Sequence, residues 1–268
     1  MSNMKIHLFL CLLILGACAS PKKTIQKSLA AMEAEFQDHT GFVLYDPLEK
    51  EYIVDFQGDA YFTPASNTKI LTFYTALSTL PDSLPGLEYI MASDSLIFWG
   101  TGDPSLLYEE LPESNVMSFL SVQSDTLFLT RRNYTDNAFG PGWSWGDYKY
   151  SYSSERSDLP IYGNTFTMKL DSTTGFLTTP QPFFRKFIWL GDSLEKSRME
   201  RSQHSNRTTY YPGAIRENTN FTIPFIYSQE VAARLLSDTL QKVVVPIDYF
   251  IPEDAQIQTV NSIPLDSA

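Results

Sequence analysis

Ser66 and Lys69 are the residues whose types and spacing best suit a chemical reaction. Residues three apart in a helix lie on one face, within reach of each other. A serine hydroxyl is a weak nucleophile until a neighbouring base removes its proton, and a lysine can be that base where its surroundings lower its pKa. The pair therefore indicates nucleophilic catalysis, with Ser66 as nucleophile and Lys69 as base. The same spacing also fits a buried helix whose polar start merely caps it.

The context of Ser66 separates it from other copies of the pattern. Ser-x-x-Lys begins at Ser2, Ser20, Ser66 and Ser193. Only Ser66 follows two predicted strands and precedes apolar residues at helical spacing. Pro64 is typical of a helix start and Pro81 of a helix end, so the sequence predicts a helix between them.

Other catalytic constellations fit poorly. There is no Gly-x-Ser-x-Gly, and beyond the leader only His39 and His204 could act as bases, which argues against a catalytic triad. Two scattered histidines likewise argue against a zinc site. A basic cluster later in the chain fits either a solvated loop or a contact with anionic cell-wall polymers. It comprises Arg185, Lys186, Lys196, Arg198, Arg201 and Arg207.

The first residues have the pattern of a targeting signal. Lys5 gives a positive start, and residues 6–15 form a mostly apolar run that is too short to span a bilayer. The run leads into Leu15-Gly16-Ala17-Cys18, which resembles a bacterial lipobox. The resemblance implies a lipoprotein signal peptide over residues 1–18, with lipid on Cys18 anchoring the protein to a membrane. A plain secretory signal is the alternative.

Composition limits the remaining possibilities. The formal net charge of −11 disfavours nucleic acid and anionic membrane surfaces as partners. Aromatic residues make up 14% of the chain, which is typical of a β-rich globular protein and not of a disordered one.

The predicted elements change character along the chain. A helix over 24–37 and strands over 41–46 and 51–56 precede the Ser66 helix. Short strands and turns then predominate up to residue 211, before a helix over 228–240 with Val231, Leu235 and Leu236 on its apolar side. The predicted later strands cover 89–91, 95–99, 126–130, 165–170, 187–190, 243–245 and 257–260.

Several segments, in order, resemble the class C low-molecular-mass penicillin-binding proteins, the D-Ala-D-Ala carboxypeptidase and endopeptidase family. They span residues 41–47, 63–69, 102–104, 140–145 and 162–164. The resemblance implies an α+β fold, with part of a penicillin-binding or β-lactamase-like catalytic domain and a large β-rich insert. The expected divisions are 19–83 for the first part of the catalytic domain, 84–255 for the insert and 256–268 for the return.

The resemblance also implies a chemistry. Ser66 would attack the penultimate D-alanine carbonyl of a peptidoglycan stem peptide, with Lys69 as base, and β-lactams would inhibit the reaction. An acidic residue after the second tryptophan binds substrate in this family, which makes Asp147 a candidate, although an exposed turn aspartate is the simpler interpretation. No cofactor or metal is implied, and the expected location is the periplasmic side of the bacterial cell envelope.

Two further family motifs, Ser-x-Asn and Lys-Thr-Gly, do not occur in the sequence. We therefore expect a chain truncated before them, with impaired or no activity. The alternative from another class is a catalytically inactive envelope lipoprotein that binds peptidoglycan or a protein partner. β-Lactamases also use a Ser-x-x-Lys motif, but the long insert argues against assigning this chain to them.

Overall fold

The computed structural model describes residues 21–112, 114–132, 134–170, 177–179, 181–214 and 220–264. The described residues form two compact units, one that ends at Thr72 and one that begins at Phe73. Helices and mostly antiparallel sheets occur together, so the α+β class expected from the sequence is confirmed. No helix within the described ranges is both long enough and apolar enough to cross a bilayer.

The first unit contains a helix that is hydrogen-bonded to a hairpin. Helix α1 (Pro21–Phe36) precedes strands β1 (Phe42–Asp46) and β2 (Glu51–Phe56), which pair antiparallel as predicted. The Gln26 side chain donates to the backbone carbonyl of Asp55 at 2.9 Å. This bond holds α1 against β2, because backbone oxygens at a sheet edge need partners.

Helix α2 (Thr68–Thr79) begins later than Pro64, where the sequence predicted its start. The preceding turn is of the tighter 3₁₀ kind, because the Lys69 N–H donates to the Ser66 carbonyl, three residues back, at 3.0 Å. The apolar side chains of α2 are exposed, with Leu71 at 70% and Tyr74 at 71%. The interpretation of α2 as a buried core helix is therefore wrong for this structure.

The second unit is built around a five-stranded sheet in which the strands that come first and last in the sequence lie side by side. Strand β13 (Gln258–Pro264) pairs antiparallel with β3 (Ser83–Ala92), and Pro264 lies opposite Ser83. This pairing brings the two ends of the segment together, as an insert requires, while the boundaries at 83 and 255 stay predictions. In spatial order the strands are β12 (Val243–Pro246), β5 (Thr126–Leu129), β4 (Ser95–Gly100), β3 (Ser83–Ala92) and β13 (Gln258–Pro264).

Both faces of this sheet are covered. One face packs against α3 (Asn115–Ser121) and α4 (Gln229–Leu240), which bury residues such as Phe98 and Leu236. The other face buries Ile97 and Trp99 under the segment that follows β12. Because both faces of β4 are covered, consecutive residues of this strand are hydrophobic and do not alternate with polar ones.

Two smaller sheets complete the second unit. Their strands are β6 (Thr165–Leu170), β7 (Leu177–Thr178), β8 (Ile188–Leu190), β9 (Arg198–Arg201), β10 (Thr208–Tyr211) and β11 (Asn220–Pro224). One sheet has the order β11–β6–β7 and the other has the order β8–β10–β9. Short 3₁₀ helices lie at Trp145–Lys149, Ser151–Ser153, Tyr162–Asn164 and Pro182–Phe187.

Candidate active site

The structure brings Ser66 and Lys69 into hydrogen-bond contact. The Lys69 Nζ lies 3.0 Å from the Ser66 Oγ, at the turn that leads into α2. This turn is held by Thr68, whose hydroxyl donates to the Ala65 carbonyl at 2.9 Å. A nucleophile and a base at this separation can exchange a proton directly.

The start of α2 supplies a favourable electrostatic environment for an anion. The first amides of a helix have no intrahelical acceptors, and the helix dipole places partial positive charge there. Ser66 lies two residues before Thr68, the first residue of α2. Negative charge that develops beside the Ser66 backbone would therefore be stabilised. Both Ser66 and Lys69 are exposed to solvent.

Asp147 lies in the second unit, on the 3₁₀ helix Trp145–Lys149, where its carbonyl accepts the Tyr150 N–H at 2.9 Å. It is half-buried, whereas the sequence suggested an exposed turn. Ser66 and Lys69 belong to the first unit. The structure thus pairs the nucleophile with its base and places Asp147 in the other unit.

Tyr152 is a neighbour of Asp147 that the sequence analysis missed. Partial loss of hydration and then the negative charge of Asp147 raise the pKa of the Tyr152 phenol. The two residues lie on consecutive 3₁₀ helices, and the Tyr152 ring stacks on Tyr150 with centroids 5.3 Å apart. Short 3₁₀ segments have no periodic apolar signal, so this contact could not be predicted from the sequence.

Two segments that carried the family resemblance have structural roles in the second unit. Asp103 accepts hydrogen bonds from the hydroxyls of Ser105 and Ser262, each at 2.6 Å. The Asn164 side chain is buried and donates to the Ser157 hydroxyl and the Glu155 carbonyl, each at 2.8 Å. These residues fix loops; their bonds do not require a substrate.

The remaining candidate residues lie either outside the described part of the chain or at an exposed position. Cys18, Ser2 and Ser20 lie outside the described residues. Ser193, in the fourth copy, is exposed in the segment between β8 and β9. Within the described part of the chain, no three His, Cys, Asp or Glu side chains are grouped to hold a metal ion.

Comparison with solved structures supports the penicillin-binding fold. The crystal structure of penicillin binding protein 4 (dacB) from Haemophilus influenzae matches with a TM-score of 0.58 and 18% identity, over 84% of this chain and 57% of that one. The same protein, complexed with a novel β-lactam, matches with a TM-score of 0.53 and 15% identity, over 84% and 55% of the two chains.

Sequence comparison agrees with the fold. The D-alanyl-D-alanine carboxypeptidase DacB of Haemophilus influenzae is 25% identical over 147 residues, which is 50% of this chain and 30% of that protein. The chain thus spans little more than half the length of the solved relative and matches under a third of the curated one. The profile of the D-Ala-D-Ala carboxypeptidase 3 (S13) family matches residues 22–242. The chain therefore belongs to the D-Ala-D-Ala carboxypeptidase 3 (S13) family, among the low-molecular-mass penicillin-binding proteins.

Proposed function

We propose that this chain is a serine-type D-Ala-D-Ala carboxypeptidase or endopeptidase that acts on peptidoglycan stem peptides through an acyl-enzyme at Ser66. The observation that carries the proposal is the 3.0 Å contact between Lys69 Nζ and Ser66 Oγ at the start of α2. Membership of the S13 family supports the substrate class.

The proposed reaction has two covalent steps. Lys69 accepts the Ser66 hydroxyl proton as the oxygen attacks the carbonyl of the penultimate D-alanine, and the terminal amine leaves with a proton returned to it. The negative oxygen of each tetrahedral intermediate is stabilised by the Ser66 N–H at the helix start. Water then hydrolyses the ester and frees Ser66.

Asp147 is proposed to bind a free amino group on the substrate peptide. Its carboxylate is half-buried on the short helix Trp145–Lys149, where an ammonium group would gain a charge-assisted hydrogen bond. The proposed setting is the periplasmic side of a bacterial envelope, with lipid on Cys18 as the anchor and β-lactams as inhibitors.

A second candidate function is a catalytically inactive envelope lipoprotein that binds peptidoglycan or a protein partner. Two observations favour it. The sequence contains neither Ser-x-Asn nor Lys-Thr-Gly. The Ser66 and Lys69 side chains are also exposed, so bulk water competes at the reacting atoms.

Intact mass after incubation with benzylpenicillin decides between the two candidates. The enzyme proposal predicts one covalent adduct on the full chain and none on Ser66→Ala. Ser193→Ala is the matched control, because Ser193 has the same Ser-x-x-Lys spacing and is exposed, and it should retain the adduct. A folded chain without an adduct would favour the inactive lipoprotein.

A further inference from the structure

The two faces of the sheet β8–β10–β9 differ in burial. Successive side chains along a strand point to opposite sides. Thr208 lies opposite both Ile188 and Arg201, so these side chains point to the same side of the sheet as Tyr210. Thr208, Arg201 and Tyr210 are all buried, which makes this the inner side. The alternate set forms what we call the outer face. It consists of Trp189, Arg198, Glu200, Arg207, Thr209 and Tyr211.

Aromatic rings and guanidinium groups are stacked in pairs on the outer face. The guanidinium carbon of Arg207 lies 4.8 Å from the centre of the Trp189 ring, and that of Arg198 lies 5.2 Å from the Tyr211 ring. Stacking holds a guanidinium flat while leaving its N–H edge available to a ligand. Trp189 is 41% exposed, so part of its ring is accessible to a ligand.

The polar groups of the outer face include both hydrogen-bond donors and acceptors. Arg198 forms an ion pair with Glu200 at 3.0 Å, and Thr209 adds a hydroxyl between the two aromatic pairs. Arg207 is exposed, and no carboxylate in the described ranges forms an ion pair with it. Its fork of N–H groups is suited to a carboxylate.

We infer that the outer face binds a polysaccharide that carries carboxylate groups. A sugar ring would pack its C–H side against Trp189, a carboxylate would bind Arg207, and Glu200 and Thr209 would accept hydrogen bonds from sugar hydroxyls. The two arginines and one glutamate give the face a charge of +1, against −11 for the whole chain. Charge complementarity therefore directs an anionic ligand to this face.

The same residues disfavour other anionic polymers. A polyphosphate or nucleic-acid backbone needs a continuous row of cations, and Glu200 interrupts the row beside Arg198. The inference goes beyond the proposed hydrolase, and it requires neither Ser66 nor an acyl-enzyme.

Titration calorimetry of the full chain with oligogalacturonate, a carboxylated sugar oligomer, tests the inference. Chitohexaose has sugar rings without charge, and poly(glycerol phosphate) has charge without sugar rings. We expect oligogalacturonate to bind about tenfold more tightly than either of these two comparison ligands, because only oligogalacturonate can both pack a sugar ring on Trp189 and pair a carboxylate with Arg207. Ser66→Ala should bind it unchanged, which separates this result from any failure of the acylation proposal.

Substitutions locate the binding. Trp189→Ala and Arg207→Gln should each weaken binding about tenfold, as expected for loss of an aromatic or a charged contact. Trp189→Phe keeps a ring and should bind within about threefold of the unchanged chain. Phe250→Ala and Arg234→Ala are matched controls, since Phe250 is 83% exposed and Arg234 is 61% exposed, and neither belongs to this sheet.

Three results would overturn the inference. The first is an absence of oligogalacturonate binding by the folded chain. The second is binding of poly(glycerol phosphate) or chitohexaose as tight as that of oligogalacturonate. The third is unchanged binding by Arg207→Gln, which involves an exposed side chain and so remains informative even where Trp189→Ala fails to fold.

Discussion

The Ser262 hydroxyl donates to the Asp103 carboxylate at 2.6 Å, joining two residues that lie 159 positions apart in the sequence. Ser105 donates to the same oxygen and lies 2.9 Å from Ser262, so three polar side chains form one cluster. Ser262 belongs to β13 and Asp103 to the loop after β4. The cluster therefore ties the last strand of the large sheet to a loop near its beginning.

Loss of this cluster should destabilise the second unit. Ser262→Ala removes a hydroxyl that is 3% exposed and leaves Asp103 with one donor fewer, so we expect a decrease in unfolding free energy of about 1–3 kcal/mol. Urea titration followed by tryptophan fluorescence measures it. Ser193→Ala removes an exposed hydroxyl and should change stability by less than about 0.5 kcal/mol. Equal stabilities of the two variants would contradict the assigned role.

Strand β9 carries the arginines of two Arg–Glu pairs that differ in burial, which allows a matched comparison. Arg201 and Glu155 lie 3.3 Å apart with side chains 1% and 10% exposed, whereas Arg198 and Glu200 are 56% and 48% exposed. Burial lowers the pKa of the Arg201 guanidinium, and the charge of Glu155 opposes that effect. The ion pair thus compensates for the loss of hydration at Arg201.

Arg201→Ala should consequently lower the unfolding free energy by about 3–5 kcal/mol, because it leaves the Glu155 carboxylate buried without its cation. Arg198→Ala removes an exposed pair and should cost less than about 1 kcal/mol. Chemical denaturation of both variants gives the two values. A cost for Arg201→Ala as small as that for Arg198→Ala would show that water reaches Glu155.

Local sequence signals predicted the elements that depend on neighbouring residues. The hairpin β1–β2 follows from alternating residues around a turn, and α4 from the apolar spacing of Val231, Leu235 and Leu236, all of which are buried. Ser228 caps α4 by accepting the Val231 N–H, as a serine before a helix is expected to do. The Ser66–Lys69 contact was predictable from spacing as well, since a single α or 3₁₀ turn brings side chains three residues apart together.

Elements that depend on distant partners were not predictable. Strand β9 was missed because Arg201, a charged residue, is buried there, and its partner Glu155 lies 46 residues away. The pairing of β13 with β3 likewise joins residues far apart in sequence. A single sequence contains no periodicity that reports such contacts, because tertiary packing overrides local preference.

The attachment of α1 to the hairpin should weaken at acidic pH. Hydrogen bonds from the Gln57 amide and then the Thr40 N–H lower the pKa of the Glu33 carboxyl. A carboxyl group whose pKa is lowered by folding stabilises the folded state at pH values above its ordinary pKa of 4.5. That contribution is lost as the pH falls through the pKa of the folded state. We therefore expect amide exchange in α1 and β2, corrected for intrinsic rates, to rise below about pH 4.5.

Glu33→Ala should show fast exchange in α1 at neutral pH and little further change on acidification. Glu35→Ala is the matched control, because Glu35 lies on the same helix and is exposed. Mass spectrometry of peptides from 24–36 and 51–57 gives the exchange rates. A Glu33→Ala chain that retained the acid-dependent step would assign that step to another carboxyl group.

The acylation proposal requires a base at position 69 that can lose its proton. Lys69→Arg keeps a cation near Ser66 Oγ but removes that ability, because a guanidinium stays protonated in proteins. We expect acylation by a fluorescent penicillin to slow by about 10²–10⁴-fold, the usual contribution of general base catalysis. Stability should be unchanged, since Lys69 is exposed.

Lys196→Arg, in the Ser-x-x-Lys copy at Ser193, should acylate normally. Undiminished acylation of Lys69→Arg would mean that another group deprotonates Ser66, and that the 3.0 Å contact serves only to position the serine.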